Sequence, residues 1–356
     1  MAFEFDKMHR LTPAIREPDV RSERKYVYVF YLVPEFTMLA FTSALEVLRL
    51  ANQSLGRDVY EWQFVSLDGR PVRASCGLSV DVGFSLAQVR RESENWQDLR
   101  MAIICTGRNV QHNSDRGLAS WLRELRRRRI AIGAVCTGAH LLASAGILQG
   151  KQCTIHWENL PGFAEQFPDV HPTSQIFEVD DGIYTCAGGI ASLEMMLHIV
   201  AEDVGNEISG EICQQALVTF MRDRSDRQRL PFARPQGVQN TNLRDAIRLM
   251  ERNIAEPLPI EAIAEGIRMS RRQTERLFRQ EFGCGPARYY IRLRLEHANS
   301  LLRQTAMPIV EVAVACGFVS SSHFSKTYRS HQGFAPNEMR KGRRHQCAQV
   351  ERLAAA

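Results

Sequence analysis

A cysteine acts as a nucleophile when its thiol sits exposed on a sharp strand-to-helix turn, where a helix start and a basic partner can lower its pKa. The stretch IAIGAVCTGAHLLASAGIL, residues 130–148, has that layout: IAIGAV leads in, Cys136 and Gly138 occupy the turn, and AHLLA leads out. A histidine, His156, lies downstream as a candidate basic partner for Cys136. The same residues also suit binding without turnover. Cys136, Thr137 and the N–H groups at the helix start are expected to hold an anionic end such as a carboxylate. His156, Trp157, Arg108 and the Pro34 to Thr37 loop, Phe36 included, supply the rest of the wall. In the plainest reading Cys136 is a small buried hydrophobe, as free cysteine commonly is, and His140 and His198 are helix residues with local partners.

The elements around these residues follow from pattern. From Lys25 the chain alternates apolar strand-like runs (YVYVFYLV, YEWQFVSLD, MAIICTG, IAIGAV) with helical ones (FTSALEVLRLAN, GLASWLRELRRRR, AHLLASAGIL). That rhythm predicts an α/β fold: a doubly wound, mainly parallel sheet with helices on both faces. Sites in such sheets lie at the carboxyl ends of strands, here near Pro34 to Thr37, Cys105 to Arg108, Cys136 to Gly138 and Cys186 to Gly189. The nineteen-residue stretch is long enough to suggest a membrane span, but Gly133, Gly138, Gly146, Thr137 and His140 interrupt it.

With 356 residues, the chain exceeds what one core usually organises, and two domains are expected. Charge divides the same way. Residues 1–240 carry 26 Lys/Arg against 29 Asp/Glu, while residues 241–356 carry 19 against 11, a balance of +8 that suits a polyanion. Nine cysteines, odd in number and with no CxxC pair, resemble neither a disulfide framework nor a zinc site, and no metal or cofactor is called for. A reducing cytoplasm fits this usage, and the charged start lacks the apolar core of a signal peptide. The expected organisation is a flexible tail at 1–24, a ligand-sensing α/β domain at 25–225, an arginine- and proline-rich linker at 226–240, an all-α domain at 241–340 and a basic flexible tail at 341–356.

The all-α segment contains one unit written twice. Ile260, Ile263 and Ala264 match Ile309, Val312 and Ala313 at an offset of 49; Ser270, Arg276, Phe278, Gly283 and Pro286 match Ser320, Lys326, Tyr328, Gly333 and Pro336 at an offset of 50. Each copy reads as a short helix, a turn, a capping serine, and a second helix ended by glycine and proline, the layout of a helix-turn-helix. Ser270 and Gln273 form the S-x-x-Q pattern of a capping box. Leu277, Phe278, Phe282, Phe318, Phe324 and Tyr328 have core spacing. Between the copies, Ala287 to Gln304 reads as a helix about 27 Å long, a strut for placing two recognition helices in major grooves about 34 Å apart.

Residues 241–340, most sharply AVACGFVSSSHFSKTYRSHQGFAPNEMR, resemble the DNA-binding domain of the AraC/XylS family of bacterial transcription regulators. The resemblance implies that Arg272, Glu275 and Arg276 of the first recognition helix, and Ser321, Ser322, Ser325 and Lys326 of the second, face base edges, where arginine suits guanine and glutamate suits cytosine. Arg271, Arg279, Arg292 and Arg294 are assigned to solvent or phosphate as readily as to bases. Ile267 to Met269 are expected to lengthen the first turn by a residue.

The stretches SALEVLRLAN, AVCTGAHLLASAGIL and TIHWEN are similar to the PfpI-like, glutamine-amidotransferase-like fold, so that the whole chain resembles a GlxA-type regulator. Two departures separate it from catalytic relatives: the acid expected beside the cysteine is replaced by Ala40, with Glu46 in a structural position, and Thr137 stands where protease-like members have histidine. The resemblance implies a non-enzymatic regulator, an activator, that senses a small metabolite and reads operator DNA. It further implies a homodimer that contacts RNA polymerase, without membrane attachment, and a link to catabolism of amino acids or of quaternary amines such as glycine betaine and carnitine. The alternatives are a cysteine-dependent amidohydrolase-like enzyme and a thiol redox sensor, each fused to a DNA-binding module.

Overall fold

The computed structural model describes residues 25–92, 99–113, 115–218, 221, 222, 224, 226–228, 240–305 and 307–339. The two expected tails, 1–24 and 341–356, lie outside the described residues. The front domain runs β1 (Tyr26–Leu32), α1 (Met38–Leu55), β2 (Tyr60–Ser66), β3 (Val72–Arg73), β4 (Ser79–Val80), β5 (Phe84–Ser85), α2 (Leu86–Glu92), β6 (Leu99–Cys105), α3 (Arg116–Arg127), β7 (Ala131–Val135), α4 (Ala139–Ser144), β8 (Gln152–Thr154), α5 (Leu160–Gln166), β9 (His171–Thr173), β10 (Phe177–Asp180), β11 (Ile183–Cys186), α6 (Ala191–Val204) and α7 (Asn206–Gln215). Seven strands form one sheet in the order β10-β11-β7-β6-β1-β2-β5. Every neighbouring pair is parallel except β10 with β11. β1 shows why both faces must be covered. Tyr28, Phe30 and Leu32 enter the core shared with α1 and α6, whereas Val29 and Tyr31 enter the one shared with α3 and α4.

The expected linker boundary moves. Arg222 grips the buried Glu194 carboxylate at 2.7 and 2.8 Å, Arg224 reaches the buried Glu178 at 3.6 Å, and the side-chain amide of buried Gln228 donates to Thr154 Oγ1 and to the carbonyls of Ile155 and Gln175. A buried carboxylate needs a cation, which holds Arg222 and Arg224 to the expected front domain, and the Gln228 bonds carry the contact three residues into the expected linker.

The second domain contains α8 (Thr241–Arg252), α9 (Ile260–Gly266), α10 (Arg271–Phe282), α11 (Pro286–Gln304), α12 (Ile309–Ala315) and α13 (Ser321–Gln332). It has two small cores. Tyr289, Tyr290 and Leu293 of α11 pack with α8, α9 and α10, while Leu295, Ala298, Leu301 and Leu302 of the same helix pack with α12 and α13. The paired helices α9–α10 and α12–α13 are the two repeats. Ser270 and Gln273 close the full capping box, and Ser320 caps α13 through the His323 N–H.

The first turn is a residue shorter than the second, not longer: Arg268 and Met269 span what Gly317, Phe318 and Val319 span in the second copy. Each turn still contains one left-handed residue, Arg268 at φ 54 and Gly317 at φ 71. Arg294, expected in solvent or on phosphate, instead donates to the carbonyls of Cys316 and Gly317 at 2.8 and 2.7 Å and lies over the Phe318 ring. It ties the strut to the second turn.

Among the described residues no helix is long and apolar enough to cross a membrane. Two substitutions test the packing account by chemical denaturation. Ser270→Ala removes one cap and is expected to cost about 1 kcal/mol. Arg294→Met leaves two carbonyls without their charged donor and is expected to cost roughly 2 kcal/mol or more.

Candidate functional site

The strand ends of β1, β6, β7 and β11 meet at Cys136. The residue has φ 62, a left-handed conformation unusual for a side chain, and α4 starts three residues later, so the backbone has the expected elbow. The glycine pair after β11 makes room for it. A Cβ on Gly188 would fall 2.7 Å from the Cys136 Cβ, so only glycine allows this approach.

The chemistry at the elbow is not that of a nucleophile. Cys136 is 7% exposed, and its sulfur lies 3.4 Å from the Thr37 hydroxyl. Burial pushes its thiol up to about 11, with Thr37 and the Thr137 backbone opposing only in part. His156 is attached through its backbone, its N–H donating to the Cys136 carbonyl at 3.0 Å. Its ring instead accepts from the Glu158 N–H, lies 5.4 Å from the Trp157 ring at a tilt of 37° and stands 3.8 Å from the Glu158 carboxylate. Burial lowers the imidazole below its usual value. At neutral pH the thiol is therefore protonated and the imidazole neutral, and no hydrogen bond joins them among the described residues. Ala40 is fully buried in α1, whose first turn has no acid, and Glu46 pairs with Arg49 at the surface.

Several expected wall residues are redirected. Phe36 is fully buried, edge-on to Phe41 in the core, because its backbone bridges to Gly107 and turns the ring inward; it cannot flank a ligand there. The Thr137 hydroxyl donates to the Gly107 carbonyl at 2.7 Å and meets Thr106 Oγ1 at 2.8 Å, so it is spent on the loop. With α4 only six residues long, few peptide dipoles add at its start, and the expected anion seat at Cys136 and Thr137 loses its basis. Arg108 is exposed at the end of β6, with no side-chain partner among the described residues, and Trp157 and His156 are half-buried. Two residues at the site carried no sequence signal: Leu39 and Ile190, 54% and 49% exposed, flank the Gly188–Gly189 turn as an apolar rim. His198 meets Glu202 one turn along its own helix, as expected of a helix histidine, whereas His140 reaches Gln166 on α5.

The second site is the outer face of the repeats. Thr274 and Phe278 of α10, and Phe324 and Tyr328 of α13, point into the cores. The opposite face of α10 carries Arg272, Glu275, Arg276 and Arg279, and the equivalent positions of α13, fifty residues on, carry Ser322, Ser325, Lys326 and Arg329. Ser321 occupies the position equivalent to Arg271. Arg272 and Arg276 are exposed with no ion-pair partner among the described residues. Glu275 is engaged on both sides, by Arg271 at 3.2 Å and Arg279 at 3.6 Å, and Arg271 also pairs with Glu261. Arg292 lies over the Tyr289 ring at 4.8 Å.

Alkylation of Cys136 by iodoacetamide, followed on its own peptide by mass spectrometry, is expected to keep rising through pH 10, as a thiol titrating near 11 requires. A plateau below pH 8 would instead reveal a stabilised thiolate.

Comparison with known proteins gives a single assignment for both halves. Residues 25–202 match the DJ-1/PfpI family and residues 263–342 match a helix-turn-helix domain. The chain is 40% identical over 315 residues to the HTH-type transcriptional regulator GbdR of Pseudomonas aeruginosa, covering 88% of this chain and 83% of that protein. It is 37% identical over 311 residues to CdhR of the same species, covering 87% and 90%, and 34% identical over 313 residues to GlxA of Rhizobium meliloti, covering 88% and 94%; both are likewise named HTH-type transcriptional regulators. A doubled helix-turn-helix and relatives matched across both domains agree: the chain belongs to the AraC-family DNA-binding transcription regulators with a DJ-1/PfpI front domain.

Proposed function

We propose that this regulator is an activator whose front domain binds a small metabolite at the Cys136 strand-end site and whose α10 and α13 read two half-sites of an operator. The observation that carries the reading is the pair of equivalent outer faces on α10 and α13, held on one strut. The two faces differ in strength. Arg272 and Arg276 can each make bidentate contacts to guanine, while Ser322 and Ser325 are short, leaving Lys326 and Arg329 to add phosphate attraction. Glu275 contributes to readout only by leaving its arginine partners. Homodimerisation through the front domain and contact with RNA polymerase belong to the same reading.

For the ligand, we propose a small zwitterion with a methylated cationic end, the class that includes glycine betaine and carnitine. Arg108 supplies an exposed cation for a carboxylate. Trp157, with Leu39 and Ile190, supplies an aromatic and apolar surface for methylated nitrogen, Phe36 having been lost to the core. A protonated, buried Cys136 gives no support to the enzymatic or redox-sensing alternatives and makes the residue part of the site's floor.

Two measurements check this reading. On a duplex selected by the full chain from a random library, Arg276→Ala is expected to lower affinity roughly 5- to 150-fold, with little loss on a scrambled duplex. Arg279→Ala is expected to weaken both alike and to reduce the salt dependence by about one counterion. Equal losses on both duplexes for Arg276→Ala would remove it from base readout. In calorimetry, glycine betaine or carnitine is expected to bind the wild type and to bind Arg108→Ala and Trp157→Ala more weakly. No heat and no change in duplex affinity across betaine, carnitine and arginine would overturn the proposed ligand class.

A further inference from the structure

The two domains touch at a point that neither DNA reading nor ligand binding uses. α5 begins two residues after Glu158, in the loop that starts at His156, and it packs against the C-terminal end of α11. The side-chain amide of Gln304, the last residue of α11, donates to the Glu158 carbonyl. Gly162 of α5 lies so close that a Cβ there would stand 2.8 Å from Gln304 Oε1, 3.1 Å from its Cβ and 3.2 Å from Thr305 Cγ2. Thr305 caps the end of α11, its hydroxyl donating to the Leu301 carbonyl, and α12 of the second repeat starts four residues later.

These contacts form a short chain: the Cys136 carbonyl to the His156 N–H, two residues to Glu158, then across to Gln304. We propose that α5 and the loop before it form a clamp on the joint between α11 and α12, through which the front domain restrains the second helix-turn-helix unit. The last turns of α11 carry the second unit's core, so a grip at this joint holds the second unit against the front domain. The first unit's core lies at the other end of α11 and carries no such grip from α5. The clamp is also built to let go. Gln304 Oε1 is buried without a hydrogen-bond partner, so opening the contact returns that oxygen to water. That ligand occupancy moves the clamp rests on the sensing role proposed for the strand-end site; the clamp itself is testable without any ligand.

The experiment uses the full chain with no metabolite added, comparing wild type, Gly162→Leu and Gln304→Ala. In hydrogen exchange, both variants are expected to exchange at least severalfold faster in peptides spanning Leu160–Gln166 and Leu301–Thr305, with the β7–α4 segment unchanged. In footprinting on a duplex selected by the wild-type chain, Lys326→Ala first identifies the second unit's half-site. Protection of that half-site is then expected to rise severalfold in the two clamp variants while the first half-site stays constant. Gln304→Ala keeps the test open should Gly162→Leu fold poorly. Protection equal to wild type in Gln304→Ala, or a loss shared by both half-sites, would overturn the clamp. A null result in the calorimetry above would remove the sensing site and leave this outcome untouched.

Discussion

One helix has to serve two hydrophobic cores. α11 gives its first turns to the core of α8, α9 and α10 and its last turns to that of α12 and α13, and neither core is large enough to be secure alone. Almost everything in the DNA-binding half follows from that sharing. The repeats cannot drift apart without exposing tyrosines at one end or leucines at the other, and Arg294 adds two charge-assisted bonds that fix the second turn to the strut. At nineteen residues, or about 28 Å, the helix is near the spacing of successive major grooves, so the separation of the reading faces is set by packing and not by a loop.

In the front domain the backbone geometry of an elbow is present without the electrostatics that would activate a thiol on it. Cys136 has its strained φ, and the glycine turn lets β11 approach it. Conformation and ionisation are separate properties. A thiol becomes a thiolate when charge, solvent or hydrogen bonds favour the anion, and here burial outweighs one hydroxyl and one backbone N–H. The imidazole that would accept its proton is held through its backbone, with its ring turned to Trp157 and Glu158.

The sequence made some levels of this structure legible and hid others, and the division is physical. Alternating apolar runs record strand burial directly, so the doubly wound sheet could be read, and a repeat at offsets of 49 and 50 records two copies of one packing unit. Capping at Ser270 is local chemistry and was equally visible. Side-chain direction at a strand end is not local: Phe36 looked like a ligand wall because aromatics suit one, but a backbone bridge to Gly107 seventy residues away decides where its ring goes. Thr137 was hidden for the same reason, its hydroxyl being claimed by a loop from another strand. Gln228 was hidden in the same way: it lies in the arginine- and proline-rich stretch expected as linker, yet its amide is taken by Thr154 and by the carbonyls of Ile155 and Gln175.

Two buried carboxylates carry a consequence for the autonomy of the front domain. Glu194 and Glu178 are 3% and 2% exposed, and the guanidinium groups beside them come from Arg222 and Arg224, after the last helix of the fold. A fragment ending with α7 would keep every helix and strand of the domain and still leave two acids sealed inside without counterions. Its thermodynamic border therefore lies beyond its last regular element. The folding of the front domain and the anchoring of the chain that follows α7 are therefore coupled, and loss of the one undoes the other.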